Sequence, residues 1–397
     1  MLDATLTEDS PQKERMHASI ESAKQEDAKS LAAATEQKRD LLFDGMKGFG
    51  ILLVITGHAL QGSSEKFDDI FAFRMIYSFH MPLFFFISGY LFQAGLRKKL
   101  LPLSFVLKKA RALVVPFLSW YVIFGLWRGL PPDVTLSNYI IRFLRSPDYG
   151  YWFLWTLFLC FVSFLPLAWL QQRLNAKWHA VLILLSYLCF HYLRTLPTGQ
   201  YGIGPLKMYY SYFAVGYFVC CWRKHLSLLK NWWPEVSIVG FLLLVPYWRR
   251  PGLVSFRPYL DAHFPTHAAT MDEVLIFALA LFGIGFVAQI VKWLIPGRIA
   301  NCLAWIGHYT LDIYVIHLYT FQLVPFSRIF AGPGDTFNIA MDVAWGLGAS
   351  LAISFLVLRR SVVLKFLFLG IVDSKKKAPP EALTSSGEKL GLAPAAG

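Results

Sequence analysis

The sequence predicts an all-α, polytopic integral membrane protein of about ten transmembrane helices. Three observations lead there. The 397-residue chain is 56% hydrophobic and only 16% charged, where soluble proteins carry about 25% charged residues. Its charges stand in clusters between long apolar runs, many of them close to the roughly 20 residues that cross a bilayer. Finally, with the N-terminus in the cytosol, 27 of the 38 Lys and Arg fall on inside segments. Basic residues concentrate on cytoplasmic connections, so both termini are expected inside.

The candidate spans, in order, are 46–62, 71–94, 112–130, 151–171, 178–193, 208–222, 235–248, 272–291, 300–324 and 336–358. The fifth to seventh are short. Residues 1–38 are polar and mixed in charge, without an apolar stripe or a signal-peptide pattern. They read as a disordered cytosolic tail, and 373–397 as a second one. The membrane domain is thus expected over 39–372. In the outer connection 131–150, Leu136, Tyr139, Ile140, Phe143 and Leu144 recur at helical spacing, the pattern of an amphipathic surface helix. The other long outer connection, 249–271, is rich in Pro, Arg and His. Both fit either ordinary connections or a lid over an acceptor groove.

The net charge of +13 has no nucleic-acid motif beside it, so cytoplasmic basic loops explain it better than nucleic acid. Cys160, Cys189, Cys220, Cys221 and Cys302 lie within or at the edge of apolar runs, without metal-ligand spacing; no metal site is expected.

Chemistry enters with the polar residues inside these runs. In "FDGMKGFGILLVITGHAL", 43–60, Lys47 and His58 are eleven residues apart. That is about three turns plus 20°, so both lie on one helical stripe about 16 Å apart. Asp44 sits one turn below Lys47, within pairing reach. Gly45, Gly48, Gly50 and Gly57 permit close helix approach. His58 reads either as a core histidine satisfied by a neighbouring helix or as a functional group, and its alignment with Lys47 favours the second. Asp44 and Lys47 read either as an interfacial pair setting helix depth or as the inner end of a path.

In the second run, His80 precedes Pro82, which is expected to kink the helix and free the Ser78 carbonyl. His80 enters from the outer side and is expected to meet His58. The inner stretch 97–116 holds Arg97, Lys98, Lys99, Lys108, Lys109 and Arg111. This is either a topology signal or a surface for an anionic cytosolic donor, with Lys108 and Arg111 one turn apart as its preferred ligands. Trp152 is expected at the outer interface, as a belt residue or a stacking platform for a sugar. In the ninth run, His308 and Asp312 stand at i and i+4 on one face, a pair able to satisfy itself. Tyr314 and His317 lie on another face.

Together the stretches 43–58, "IYSFHMPLFFFISGYLF" (76–92), "KKARALVVPF" (108–117), "YWFLWTL" (151–157), "YYSYFAVGYF" (209–218) and "WIGHYTLDIYVIH" (305–317) resemble the acyltransferase-3 family of integral-membrane O-acyltransferases, in the branch of fucose-type and xanthan-type exopolysaccharide acetyltransferases. The resemblance implies acetyl-CoA as a cytosolic co-substrate with no bound cofactor, a saccharide acceptor, and a multi-pass protein of the bacterial inner membrane working beside other polysaccharide-assembly proteins. The family's basic residue followed ten residues later by histidine falls on Lys47 and His58. Its basic pair before the third helix falls on Lys108 and Arg111, with Lys in place of the usual first Arg, which loses a bidentate fork.

On this reading His58 is the general base for a sugar hydroxyl or a transient acyl carrier. His80 orients it or stabilises the oxyanion. Asp44 and Lys47 hold the acyl-donor end, Lys108 and Arg111 the donor phosphates, and Trp152, His308, Asp312, Tyr314 and His317 line the path or the acceptor. The rival reading is a transporter or flippase that uses intramembrane His and Asp as a proton relay, although no repeat of related halves is visible.

Overall fold

A computed structural model describes residues 41–96, 102–128, 135–147, 151–174, 179–198, 200–223, 225–226, 231–249, 257–324 and 336–372. The expected tails, the basic residues Arg97 to Lys99 and parts of both long outer connections lie outside them.

Among the described residues the chain is helical and has no strand. In order the helices are α1 (Leu41–Ser63), α2 (Phe71–Tyr77), α3 (His80–Gly95), α4 (Pro102–Lys109), α5 (Val115–Arg128), α6 (Leu136–Arg145), α7 (Trp152–Arg173), α8 (His179–Thr195), α9 (Ile203–Trp222), α10 (Trp233–Leu244), α11 (Arg257–His263), α12 (Ala268–Leu294), α13 (Arg298–His308), α14 (Thr310–Leu323), α15 (Thr336–Leu356) and α16 (Val362–Leu369). Six helical stretches are long and apolar enough to cross a membrane: Leu41–Ser63, Phe71–Gly95, Leu103–Trp127, Trp152–Arg173, Ala268–Leu294 and Thr336–Arg360. The remaining expected spans fall on α8, α9, α10 and the α13–α14 pair, which are helical without meeting both measures. The chain is an all-α polytopic membrane protein.

Close approach of helix backbones at glycines contributes to the packing. Gly48 of α1 lies against the Leu303 carbonyl of α13, and Gly307 of α13 against the Asp44 carbonyl of α1; a Cβ at either would collide with backbone. The same reciprocal arrangement joins α3 and α9 through Gly89 and Gly216. Between these seams an aromatic core fills the interior, with Phe85, Tyr209 and Trp152 stacked in series at centroid separations of 4.7 and 5.1 Å. Large apolar side chains such as Leu243 and Trp293 point outward, as a hydrocarbon solvent permits.

Three local expectations change. The second span does not kink at Pro82. It breaks one turn earlier, at Ser78–Phe79, where Phe79 adopts φ −145° and ψ −14°. Pro82 then falls in the first turn of α3, where a missing N–H leaves no helical bond unmade. The ninth span is two helices meeting at Tyr309, whose φ −102° and ψ 14° end α13 and start α14. Third, the segment between Lys108 and α5 is not regular α-helix, because Ala110–Val114 form a wide turn of π type that carries Arg111. The outer amphipathic helix is present as α6, and its Tyr139 stacks on Tyr121 of α5 at 4.4 Å.

Candidate active site

Polar side chains gather at two levels along α1. The inner level starts from the α1–α13 seam. Asp44 and Lys47 pair at 2.5 Å, and His308 reaches Asp44 from α13 at 3.6 Å. The Gly48–Gly307 approach brings these two helices close enough for that contact. His308 donates through Nδ1 to the Ala304 carbonyl at 2.7 Å, since a carbonyl only accepts. Its Nε2 therefore faces Asp44 and carries a second proton only when the ring is charged.

Asp312 does not pair with His308. The break at Tyr309 turns α14 away from the α13 face, and Asp312 is buried against α15 instead. There Arg359 grips it with a two-point fork, Nε to Oδ2 at 2.8 Å and Nη2 to Oδ1 at 3.2 Å, and the Ser354 hydroxyl donates to the same carboxylate. The guanidinium also lies 4.9 Å over the Tyr309 ring. A buried acid needs such partners. The expected self-satisfied pair is therefore two separate arrangements with different partners.

The outer level is a histidine cluster. His58 of α1 and His317 of α14 have ring centroids 5.2 Å apart. Tyr77, at the end of α2, lies 4.6 Å from the His80 ring at the start of α3, and its hydroxyl donates to Gln61 Oε1 at 2.9 Å. The same Gln61 oxygen accepts from His58 Nδ1 at 2.9 Å. With Gln61 Oε1 as the acceptor, Nδ1 carries the proton and the lone pair of neutral His58 is on Nε2. His80 and His317 are set the same way, with Nδ1 donating to the carbonyls of Ile76 at 2.9 Å and Ile313 at 3.0 Å. His317 Nε2 is buried and finds no hydrogen-bond partner among the described residues. His80 and His317 are almost wholly buried, whereas His58 is only half-buried. The His58 ring is thus held through Nδ1, and His58 is the least buried of the three histidines.

The other expected residues fall elsewhere. Tyr314 packs against Phe153 at 5.3 Å and stands 6.1 Å from the His317 ring. Trp152 stacks on Tyr209, one layer away in the aromatic core. Lys108 is exposed, while Arg111 is half-buried with its Nε hidden from any hydrogen-bond partner among the described residues. The neighbouring cation turned inward is Lys109, whose ammonium lies 3.8 Å over the Phe161 ring. Among the described residues no group of His, Cys, Asp and Glu is arranged to hold a metal ion.

Sequence reasoning missed Gln61, Tyr77 and Arg359. Gln61 carried a usable signal, since it is a polar residue one turn from His58 on the same face. Tyr77 and Arg359 reach their partners across helices, and no spacing rule exposes that.

Fold and site together define a multi-pass membrane protein with a buried histidine cluster on one side of the bundle and an ion-paired seam on the other. Residues 41–359 match the family described as Acyltransferase domain (Acyl_transf_3), and the chain belongs to that family. It is similar to nodulation protein NolL of Mesorhizobium japonicum (strain LMG 29417 / CECT 9101 / MAFF 303099), 35% identical over 135 residues, 32% of this chain and 36% of that protein. It is also similar to nodulation protein NolL of Sinorhizobium fredii (strain NBRC 101917 / NGR234), 33% identical over 157 residues, 37% of this chain and 41% of that protein. The matched region thus spans well under half the length of these relatives. No solved structure matches the chain.

Proposed function

We propose that this protein transfers an acetyl group from cytosolic acetyl-CoA to a hydroxyl of a saccharide, either an exopolysaccharide or its lipid-linked repeat unit, at the bacterial inner membrane. The observation that carries this is the Tyr77–Gln61–His58 chain, which orients the ring of a half-buried histidine and leaves the lone pair on Nε2 within an acyltransferase-family bundle. A sugar hydroxyl is a poor nucleophile at neutral pH and needs such a base within about 3 Å.

In this mechanism His58 Nε2 removes the hydroxyl proton as the oxygen attacks the thioester carbonyl. The C–S bond then breaks, and the proton passes from His58 to the departing thiolate. Gln61 holds the ring and stabilises its charged form through Nδ1–H. His80 and His317 keep the surroundings of His58 free of bulk water. The Asp44–Lys47–His308 group forms the inner, donor-side mouth about 16 Å below, the length of three turns of α1. Arg111 and Lys108 hold donor phosphates at the membrane surface.

The test uses inverted membrane vesicles with radiolabelled acetyl-CoA and a saccharide acceptor. Wild type is expected to label the sugar and His58→Ala to lose that label. Undiminished labelling by a folded His58→Ala protein would sink the role given to His58, and saccharide uptake without acetylation would replace the enzyme by a transporter.

A further inference from the structure

A cavity of about 260 Å³ lies between the ends of α3, α7 and α9 that the basic residues place towards the cytosol, apart from both polar levels of α1. Its wall includes Gln93 and Leu96 from α3 and its end, Gln171 and Gln172 from α7, and Cys221 and Arg223 from α9 and its end. Several of these polar groups are already anchored. Gln171 accepts from the Tyr217 hydroxyl and donates to Cys221 Sγ at 3.4 Å, and Gln172 donates to the Leu96 carbonyl at 3.3 Å. Each amide NH2 keeps a second N–H. Gln93 Oε1 is buried and has no hydrogen-bond partner among the described residues. Arg223 is half-buried and no ion-pair partner for it is found among the described residues.

Among the described residues the wall therefore offers an unused acceptor, spare amide donors and a guanidinium without an ion-pair partner. An adenine edge presents an amino donor beside a ring-nitrogen acceptor, the pattern that glutamine amides read. A guanidinium takes a phosphate through two parallel bonds. α3 links the cavity wall to the inner end of α1. Tyr90, one turn before Gln93, packs on Phe43 at a centroid distance of 4.6 Å, and Phe43 precedes Asp44.

We propose that this cavity binds the adenosine-phosphate end of the acyl donor, with Gln93 on the base and Arg223 on a phosphate. This site rests on the acetyl-CoA reading above. A phosphatidylethanolamine headgroup also combines phosphate with N–H donors, so the experiment separates the two sources.

Full-length protein in nanodiscs is titrated with adenosine 3′,5′-bisphosphate, and the KM for acetyl-CoA and for S-acetyl-pantetheine is measured alongside. Wild type is expected to bind the bisphosphate, and the bisphosphate to compete with acetyl-CoA. Arg223→Ala and Gln93→Leu should each raise the acetyl-CoA KM about tenfold or more at similar kcat, the effect of one charge-assisted or buried hydrogen bond. Arg223→Lys should fall between. None of the variants should alter the KM for S-acetyl-pantetheine, which lacks the nucleotide. The proposal is overturned if wild type does not bind the bisphosphate, if folded variants keep the wild-type acetyl-CoA KM, or if short-chain phosphatidylethanolamine displaces the bisphosphate. Bisphosphate binding that Arg223→Ala abolishes, in a wild-type protein that transfers no acetyl from acetyl-CoA, would overturn the donor reading and leave a nucleotide site.

Discussion

Gln61 Oε1 stands 2.9 Å from His58 Nδ1 and 2.9 Å from the Tyr77 hydroxyl. One amide oxygen thus joins the end of α1 to the end of α2 and decides which nitrogen of His58 is free. The proposed chemistry depends on this relationship, because a base with its lone pair turned into the bundle meets no substrate.

Gln61→Leu should lower kcat by about 10- to 100-fold, the usual range for losing the group that orients a functional histidine, with little change in acetyl-CoA KM. Tyr77→Phe should cost less, since the direct bond to His58 remains. Steady-state kinetics on both variants checks this; a pure KM effect would mean that Gln61 contacts a substrate instead of positioning His58.

Arg359→Met should destabilise the protein strongly, by about 3–5 kcal/mol, because it leaves the Asp312 carboxylate buried without its ion pair. Asp312→Asn in the same chain should recover a large part of that loss, and Ser354→Ala alone should cost only about 1 kcal/mol. Thermal unfolding in detergent would show these differences. Equal effects of the single and double variants would contradict the pairing.

Gly307→Val should separate α13 from α1, since any Cβ there meets the Asp44 backbone. Loss of folded yield is expected. Gly348→Ala is the control, because nothing lies within 4 Å of its would-be Cβ. Size-exclusion profiles of the two variants distinguish a steric seam from a general intolerance of added methyl groups.

Arg111→Ala should raise the acetyl-CoA KM several-fold, whereas Lys108→Ala, at an exposed position on α4, should do so less and leave thermal stability unchanged. A larger effect at Lys108 would mean that the donor approaches from the outer flank of α4. Lys109→Met tests a different point. Its ammonium packs on Phe161, so the change should alter stability more than KM.

The all-helical membrane class was legible in composition, because a bilayer demands long apolar segments whatever their order. So was the register of α1. Helical periodicity alone places Asp44, Lys47 and His58 on one stripe, and α1 runs unbroken from Leu41 to Ser63. The residues from 305 to 317 were legible as polar and misjudged as partners. Spacing made His308 and Asp312 neighbours, but the turn at Tyr309 breaks the helix between them. Their real partners, Asp44 and Arg359, lie 264 positions before His308 and 47 positions after Asp312.

By itself, then, the sequence determined what repeats locally: which segments are apolar enough to be helices in a membrane, which polar residues share a face, and which motifs mark the family. Tertiary structure alone decided which faces meet. It brought His317 against His58, set Gln61 between His58 and Tyr77, and closed Arg359 on Asp312. The physical reason is that periodicity follows from backbone geometry within one helix. Partner choice depends on how far glycine seams let helices approach and on where turns such as Ser78–Phe79 and Tyr309 redirect them.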